Sequence, residues 1–252
     1  MLSYQHAYHA GGPADLHKHI ALGELLALLM RKPRPITYME THAGRGLYDL
    51  ASTETVKTGE ANEGIAKITP SDSAFWDAVK SVRQMHGETA YPGSPAIAAS
   101  MLRHDDKMHL MELHPAEYKA LRVNLEGEAA IHNRDGYEGV LAISPPKPRK
   151  GLVLIDPSYE VKSEYLQVAE FTRKLMAKWP EATVMIWYPI LKAARHKEML
   201  AALRLPHLVD EVAFDLKDNE GMTGSGLALV NAPYGSEAVL VRTREIGAPV
   251  LR

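Results

Sequence analysis

The sequence contains no cysteine, which excludes disulfides and thiolate metal sites. No apolar run reaches the roughly 20 residues needed to span a bilayer, and the first residues lack the apolar centre of a signal peptide. Basic and acidic residues nearly cancel, giving a formal net charge of −2. The chain as a whole therefore gives no electrostatic sign of nucleic-acid binding, and a polyanion would have to be held by a local patch. These absences predict a cytoplasmic protein with no membrane segment.

The order of apolar segments predicts an α/β fold with a mostly parallel sheet. Short aliphatic runs alternate with helical stripes along most of the chain, as in doubly wound folds. With 252 residues, we predict one domain over 1–252. Residues 51–91 interrupt the alternation with helix-like stretches, and we interpret them as an inserted helical subdomain. Segments 207–214 and 227–231 have no helix between them and are expected to form an antiparallel edge.

Acidic residues or glycines follow the first four predicted strands. The first strand runs into Gly44-Arg45-Gly46, a turn that lets backbone N–H groups approach a nucleotide-type ligand. Position 49 is Asp, so the third glycine of a dinucleotide fingerprint is missing and a nicotinamide site is not indicated. Glu112 follows the second strand, where an acid accepts from ribose hydroxyls. Asp135 follows the third strand, where it could accept from an adenine amino group, although each acid alone also suits a helix cap or a turn.

The fourth strand ends in Asp156-Pro157-Ser158-Tyr159. In an open parallel sheet, ligands bind beyond the carboxyl ends of the strands. Asp156 and the Pro157 carbonyl could accept the two hydrogens of an amino group on a flat ring, and Tyr159 could stack on that ring. The tetrapeptide resembles the Asp-Pro-Pro-Tyr motif of amino methyltransferases that use S-adenosylmethionine, with Ser158 replacing the second proline. The alternative is an ordinary strand-to-turn junction, since Asp-Pro-Ser is common turn chemistry.

A longer set of segments resembles one family, the bacterial 23S ribosomal RNA adenine-N6 methyltransferases of the J type. The matching segments occur in the expected order along most of the chain. They are Met1-Leu2-Ser3-Tyr4, His6, His9-Ala10-Gly11, Ala14-Asp15, Lys18-His19, Thr41-His42-Ala43-Gly44, Gly59-Glu60, Glu63-Gly64-Ile65-Ala66, Tyr91-Pro92-Gly93-Ser94-Pro95, Glu112-Leu113-His114-Pro115, Asp135-Gly136, Leu154-Ile155-Asp156-Pro157, Trp187-Tyr188-Pro189 and Gly221-Met222-Thr223.

The resemblance implies a Rossmann-like methyltransferase fold that binds S-adenosyl-L-methionine and methylates N6 of a specific adenosine in 23S rRNA. It implies a catalytic role for Asp156, assisted by Pro157 and Tyr159, on a base that leaves its stack. It places Tyr4 and His6 at the RNA. The cofactor residues that it implies are Lys18, His19, His42, Ser94, Glu112, Asp135 and Gly136.

Several expectations and rival interpretations accompany this resemblance. We expect no metal, no membrane, no obligate protein partner and a monomer. Rivals are an amino methyltransferase acting on DNA or on a glutamine side chain, and an RNA-binding module that kept the fold but lost turnover. Asp rather than Asn at position 156 argues against glutamine, and Ser158 is the feature that favours lost turnover. The basic, proline-rich run 145–150 is typical of a solvated loop, but it could also contact phosphates.

Overall fold

The computed structural model describes residues 6–214 and 221–252. A seven-stranded sheet forms its centre, and a separate two-stranded sheet lies beside it. The strands are β1 Thr37–Glu40, β2 Leu47–Asp49, β3 Ala90–Pro92, β4 Lys107–Met111, β5 Ala130–His132, β6 Gly151–Ile155, β7 Ala182–Leu191, β8 His207–Ala213 and β9 Met222–Val230. The helices are α1 Pro13–Met30, α2 Thr53–Thr58, α3 Glu60–Glu63, α4 Ala74–His86, α5 Ser94–Met101, α6 Pro115–Asn124, α7 Gly136–Ile143, α8 Glu164–Lys178, α9 His196–Leu203 and α10 Ser236–Gly247, with short 3₁₀ turns at His6–Tyr8 and Ile65–Lys67.

The main sheet has the strand order β5-β4-β1-β6-β7-β9-β8. Strands β5, β4, β1, β6 and β7 are parallel, whereas β9 is antiparallel to both of its neighbours. The predicted α/β class and the antiparallel edge are therefore confirmed. Because the strand order reverses between β1 and β6, a crevice opens there beyond the carboxyl ends of the strands.

Helix α1 is buried on nearly all sides. Pro13 occupies its first turn, where a missing N–H costs nothing, and Gly12 is the N-cap. The helix packs against α10, α4, α5 and β9. This enclosure forces its polar residues inside together with its leucines, so Asp15, His17, Lys18 and His19 are all at most 3% exposed.

The segment between β2 and β3 is helical and packs against the residues that precede α1. The backbones approach so closely at Gly64 that a Cβ there would lie 2.1 Å from the carbonyl oxygen of Gly11. The N-cap of α5 is Gly93, and the Ser94 hydroxyl donates to Glu40 instead of capping the helix. Helix α10, which packs against α1, is absent from the sequence-based prediction.

Among the described residues, no helix combines the length and apolarity needed to cross a bilayer.

Gly226 of β9 offers a test of the packing at the antiparallel edge. It pairs with Tyr188 of β7, and a Cβ at position 226 would lie 2.1 Å from the Tyr188 ring. Gly226→Ala should lower the free energy of unfolding in urea by about 1–3 kcal/mol, because the ring must move out of a filled core. The loss should shrink in a Tyr188→Leu background. Equal losses in both backgrounds would contradict this packing.

Candidate active site

A cavity of about 550 Å³ opens at the carboxyl ends of β1, β4, β5 and β6. Its walls come from α1, the turn after β1, the residues after β4 and β5, and the segment after β6. The structure thus brings together most of the residues that the sequence singled out. Those lining the cavity are His6, Lys18, His19, His42, Ser94, Glu112, Asp135, Gly136, Asp156 and Pro157. Tyr4 lies outside the described residues.

The Lys18 ammonium group lies between two carboxylates. Its Nζ is 2.6 Å from Oδ2 of Asp156 and 3.1 Å from Oδ1 of Asp15. Burial alone would lower the pKa of Lys18, but Asp156 and Asp15 outweigh it and raise the pKa above its ordinary value. Lys18 therefore stays charged and fixes Asp156 at the edge of the cavity.

Asp15 accepts from several donors besides Lys18. His6 Nε2 lies 3.0 Å from its carboxylate, and the Gly11 backbone N–H donates to it at 3.1 Å. Burial would raise the pKa of Asp15, but its neighbour His6 and the Lys18 ammonium group hold it well below the usual range. Asp15 is thus an ionised anchor for the N-terminal wall of the cavity.

His19 presents one ring nitrogen without a hydrogen-bond partner among the described residues. Its Nδ1 pairs with the Tyr91 hydroxyl at 2.9 Å, while the buried Nε2 has none. Burial lowers the pKa of His19 to about 3, so the ring is neutral near pH 7. The residue lines the cavity, and its Nε2 lies 3.8 Å from Oδ1 of Asp15, behind the cavity surface.

Glu40, at the end of β1, is a fully buried carboxyl group behind the cavity wall. It accepts from the Tyr38 hydroxyl at 2.5 Å and the Ser94 hydroxyl at 2.9 Å. Burial raises the pKa of Glu40 to about 8, against the opposing effect of these two hydrogen bonds. A protonated Glu40 ties β1 to the start of α5, which explains why Ser94 lines the cavity.

Two glycines let the backbone approach the cavity closely. Gly44 has φ of +60°, and its N–H donates at 2.8 Å to Glu112, which also accepts from the His114 N–H at 2.7 Å. Gly136 has no room for a side chain, since a Cβ would lie 1.9 Å from the Thr41 carbonyl oxygen. Burial raises the pKa of Glu112, and the carboxylate is held at the rim by these N–H groups.

The part of the cavity near α7 is aromatic. The Tyr137 ring lies 5.3 Å from His42 in an edge-on arrangement and 4.8 Å from Phe171. Burial lowers the pKa of His42 to about 4, so its ring is uncharged. Asp135 caps α7 by accepting from the Glu138 N–H at 2.9 Å. A flat ring system would therefore meet aromatic surfaces and a carboxylate edge here.

Tyr159 does not line this cavity, which corrects the expectation that its ring stacks on a bound base. The residue adopts φ of +56°, and this turn directs the side chain into the core, where it is 6% exposed. Its hydroxyl donates to the Trp187 carbonyl oxygen at 2.7 Å, and its ring packs 4.5 Å from that of Tyr165. Tyr159 thus anchors the segment after Asp156, and Ser158 lines the cavity instead.

Trp187 connects this anchor to the antiparallel edge of the sheet. Its ring lies 5.6 Å from the Lys18 ammonium, and its Nε1–H, which can only donate, bonds to Ser225 at 2.9 Å. Ser225 in turn pairs with Nδ1 of His17 at 2.8 Å, and Nε2 of His17 pairs with Asp210 at 3.0 Å.

The partners of His17 determine its tautomer. Burial lowers the pKa of His17, so the ring is neutral, and Asp210 requires the hydrogen on Nε2. Nδ1 then accepts from the Ser225 hydroxyl. The Ser-His-Asp series resembles a nucleophilic triad in composition only, because Ser225 and His17 are both 0% exposed.

The sequence assigns no role at the site to three residues that the structure places there, Asp15, Glu40 and Trp187. Asp15 and Trp187 occur in segments that carry the family resemblance, but without a role. Glu40 and Trp187 have partners far away in sequence, Ser94 and Ser225, and Asp15 owes its role to the complete burial of α1. No local signal could have identified these features.

The fold and the site together define a methyltransferase of the S-adenosylmethionine-dependent class. A glycine turn follows β1, and acids follow β4, β5 and β6 at one cavity. The chain belongs to the family described as ribosomal RNA large subunit methyltransferase D, RlmJ, whose family model matches residues 33–246.

Individual relatives agree with this membership over nearly the whole chain. The Escherichia coli K12 protein named ribosomal RNA large subunit methyltransferase J is 35% identical, with 94% of this chain and 89% of that protein covered. The Haemophilus influenzae protein of the same name is 37% identical with the same coverage. The crystal structure of protein LPL1258 from Legionella pneumophila is 33% identical, with a TM-score of 0.80 and coverage of 97% of this chain and 96% of that one.

The raised pKa of Glu40 predicts a pH-dependent stability. Its pKa is about 8 in the folded state and about 4.3 in an unfolded chain. Between about pH 4.3 and pH 8, the folded state therefore binds more protons at Glu40 than the unfolded chain does. The Glu40 contribution is therefore fully present below about pH 4 and is lost as pH rises through 8. The free energy of unfolding of the wild type, minus that of Glu40→Gln, should fall across this range by up to about 1.4 kcal/mol per pH unit. A flat difference in urea unfolding from pH 5 to 8 would contradict a protonated Glu40.

Proposed function

We propose that this protein methylates N6 of a specific adenosine in 23S rRNA, with S-adenosylmethionine as the methyl donor. The observation that carries the proposal is the position of Asp156. It lines the same cavity as Asp135, Gly136 and Glu112 and is held there by Lys18. An amino group and a nucleoside cofactor could therefore meet in one enclosed space.

The residues of the cavity fit the cofactor. Glu112 would accept from ribose hydroxyls, and Asp135 from the adenine amino group, which would lie near Tyr137 and Phe171. The close backbone approach at Gly44 and Gly136 suits a ligand held by backbone groups. His42, Ser94, His19 and Lys18 would line the part nearer Asp156. When bound, the cofactor supplies an electrophilic methyl group on a sulfonium.

Asp156 and Pro157 would orient the target amino group. Lys18 occupies Oδ2 of Asp156, which leaves Oδ1 to accept one N6 hydrogen, while the Pro157 carbonyl accepts the other. These two bonds would orient the nitrogen lone pair for transfer. N6 would take the methyl group as the sulfonium–methyl bond breaks, the cofactor would leave as its thioether, and one N6 proton would pass to water. Proximity and orientation supply most of the acceleration.

The N-terminal wall would face the RNA. His6 lies on the cavity and is held by Asp15, in keeping with a role at the substrate for His6 and for Tyr4 before it. Tyr159 supports the Asp156 segment from inside the core in this proposal, rather than packing on the base. The monomeric state, the cytoplasmic location and the absence of an obligate protein partner stay predictions.

Replacement of Asp156 tests the division between binding and transfer. Asp156→Ala should reduce methyl transfer from labelled cofactor to unmodified 23S rRNA by at least about 100-fold, because the amino group is no longer oriented. Binding of S-adenosylhomocysteine, measured by calorimetry, should stay nearly unchanged. The fold should survive, since Lys18 keeps its ion pair with Asp15.

Glu170→Ala is the matched control, because Glu170 is a carboxylate on the cavity rim that is exposed and pairs with Lys174. It should retain both transfer and binding. Transfer by Asp156→Ala at the wild-type rate would refute the catalytic assignment. Loss of binding along with transfer would assign Asp156 to the cofactor instead.

A further inference from the structure

Two proline-containing loops meet at the opposite edge of the sheet, where the central strands begin. Residues 31–36 lead into β1, and residues 144–150 lead into β6. The Thr37 N–H donates to the Lys150 carbonyl at 2.9 Å, and the Thr37 hydroxyl donates to the Pro148 carbonyl at 2.7 Å. We call these two segments together the basic edge.

The basic edge concentrates positive charge. Its basic residues are Arg31, Lys32, Arg34, Lys147, Arg149 and Lys150, and neither segment contains an acid. Without these six, the rest of the chain has 23 basic residues against 31 acidic ones. The local charge is therefore opposite in sign to that of the remaining chain.

Most of this charge is exposed and unneutralised. Five of the six side chains are exposed, and Lys150 is half-buried. Arg149 pairs with Glu181 at 3.0 Å, but Arg31, Lys32, Arg34 and Lys147 have no acid within 4 Å among residues 6–214 and 221–252. Burial together with the charges of Arg34 and Lys32 lowers the pKa of Lys150, as expected where like charges lie close together.

The backbone under these side chains is held in place. Arg103 donates to the carbonyl oxygens of Lys32 at 3.1 Å and Arg34 at 2.8 Å, and is itself fixed by Asp106. Three prolines in the second loop restrict it further. Little backbone entropy would be lost when a ligand binds to these loops, so the charges are already arranged for a polyanion.

We propose that the basic edge is a second RNA-binding surface, which contacts the phosphate backbone of the rRNA away from the modified nucleotide. The five residues of β6 separate it from the cavity by about 17 Å. A short substrate in the cavity would not reach it, whereas another helix of a large folded RNA would. The proposal rests on the proposed function, because it takes rRNA as the substrate.

The test compares two variants with the same change in net charge. The cluster variant carries Lys32→Gln, Arg34→Gln and Lys147→Gln. The control variant carries Lys80→Gln, Lys119→Gln and Lys197→Gln, which are exposed residues on α4, α6 and α9. Binding to protein-free 23S rRNA and to a short stem-loop with the target adenosine is measured between 50 and 200 mM salt, together with methyl transfer to each.

The cluster variant should bind 23S rRNA about 10-fold more weakly near 150 mM salt, with the slope of log K against log salt reduced by about 2. The control should change little, and both variants should methylate the stem-loop like the wild type. Wild-type affinity in the cluster variant, or equal losses in both variants, would overturn the proposal. Failure of the wild type itself to methylate either RNA would instead refute the proposed function.

Discussion

The site depends on one buried ammonium group. Lys18 pairs with Asp15 from its own helix and with Asp156, which lies 138 residues away and directly follows β6. Removal of one partner from a buried ion pair typically costs about 3–5 kcal/mol, because the remaining charge stays buried. Loss of Lys18 would leave both carboxylates without their shared cation, and their side chains are only 2% exposed at Asp15 and 14% exposed at Asp156. The full enclosure of α1 is thus inseparable from the position of the proposed catalytic carboxylate.

A second set of contacts holds this ion pair from the other side. The Trp187 ring lies against the Lys18 ammonium group. The Trp187 backbone carbonyl oxygen accepts a hydrogen bond from the Tyr159 hydroxyl. Trp187 therefore supports both Lys18, which pairs with Asp156, and Tyr159, which anchors the segment after Asp156. The Ser225 hydroxyl accepts from the indole N–H of Trp187 and is itself held by His17. The antiparallel edge of the sheet therefore contributes to the geometry of the site.

Local patterns predicted much of the fold and part of the site. The strands, the glycine turn and the acids after β4, β5 and β6 are readable because each depends on residues close in sequence. Tyr159 shows the limit: its residue type suggested stacking on a ligand, but a left-handed backbone turn directs it inward. Asp15 and Glu40 escaped notice because burial gives them their roles, and burial depends on distant segments.

In the proposed function, this site transfers a methyl group to an exocyclic amino group. Nucleoside analysis by mass spectrometry of unmodified 23S rRNA, after incubation with the protein and labelled S-adenosylmethionine, tests it most directly. We expect N6-methyladenosine as the labelled nucleoside, at a single position. Label on a ribose oxygen, on a ring nitrogen or carbon, or on no nucleoside at all would contradict it.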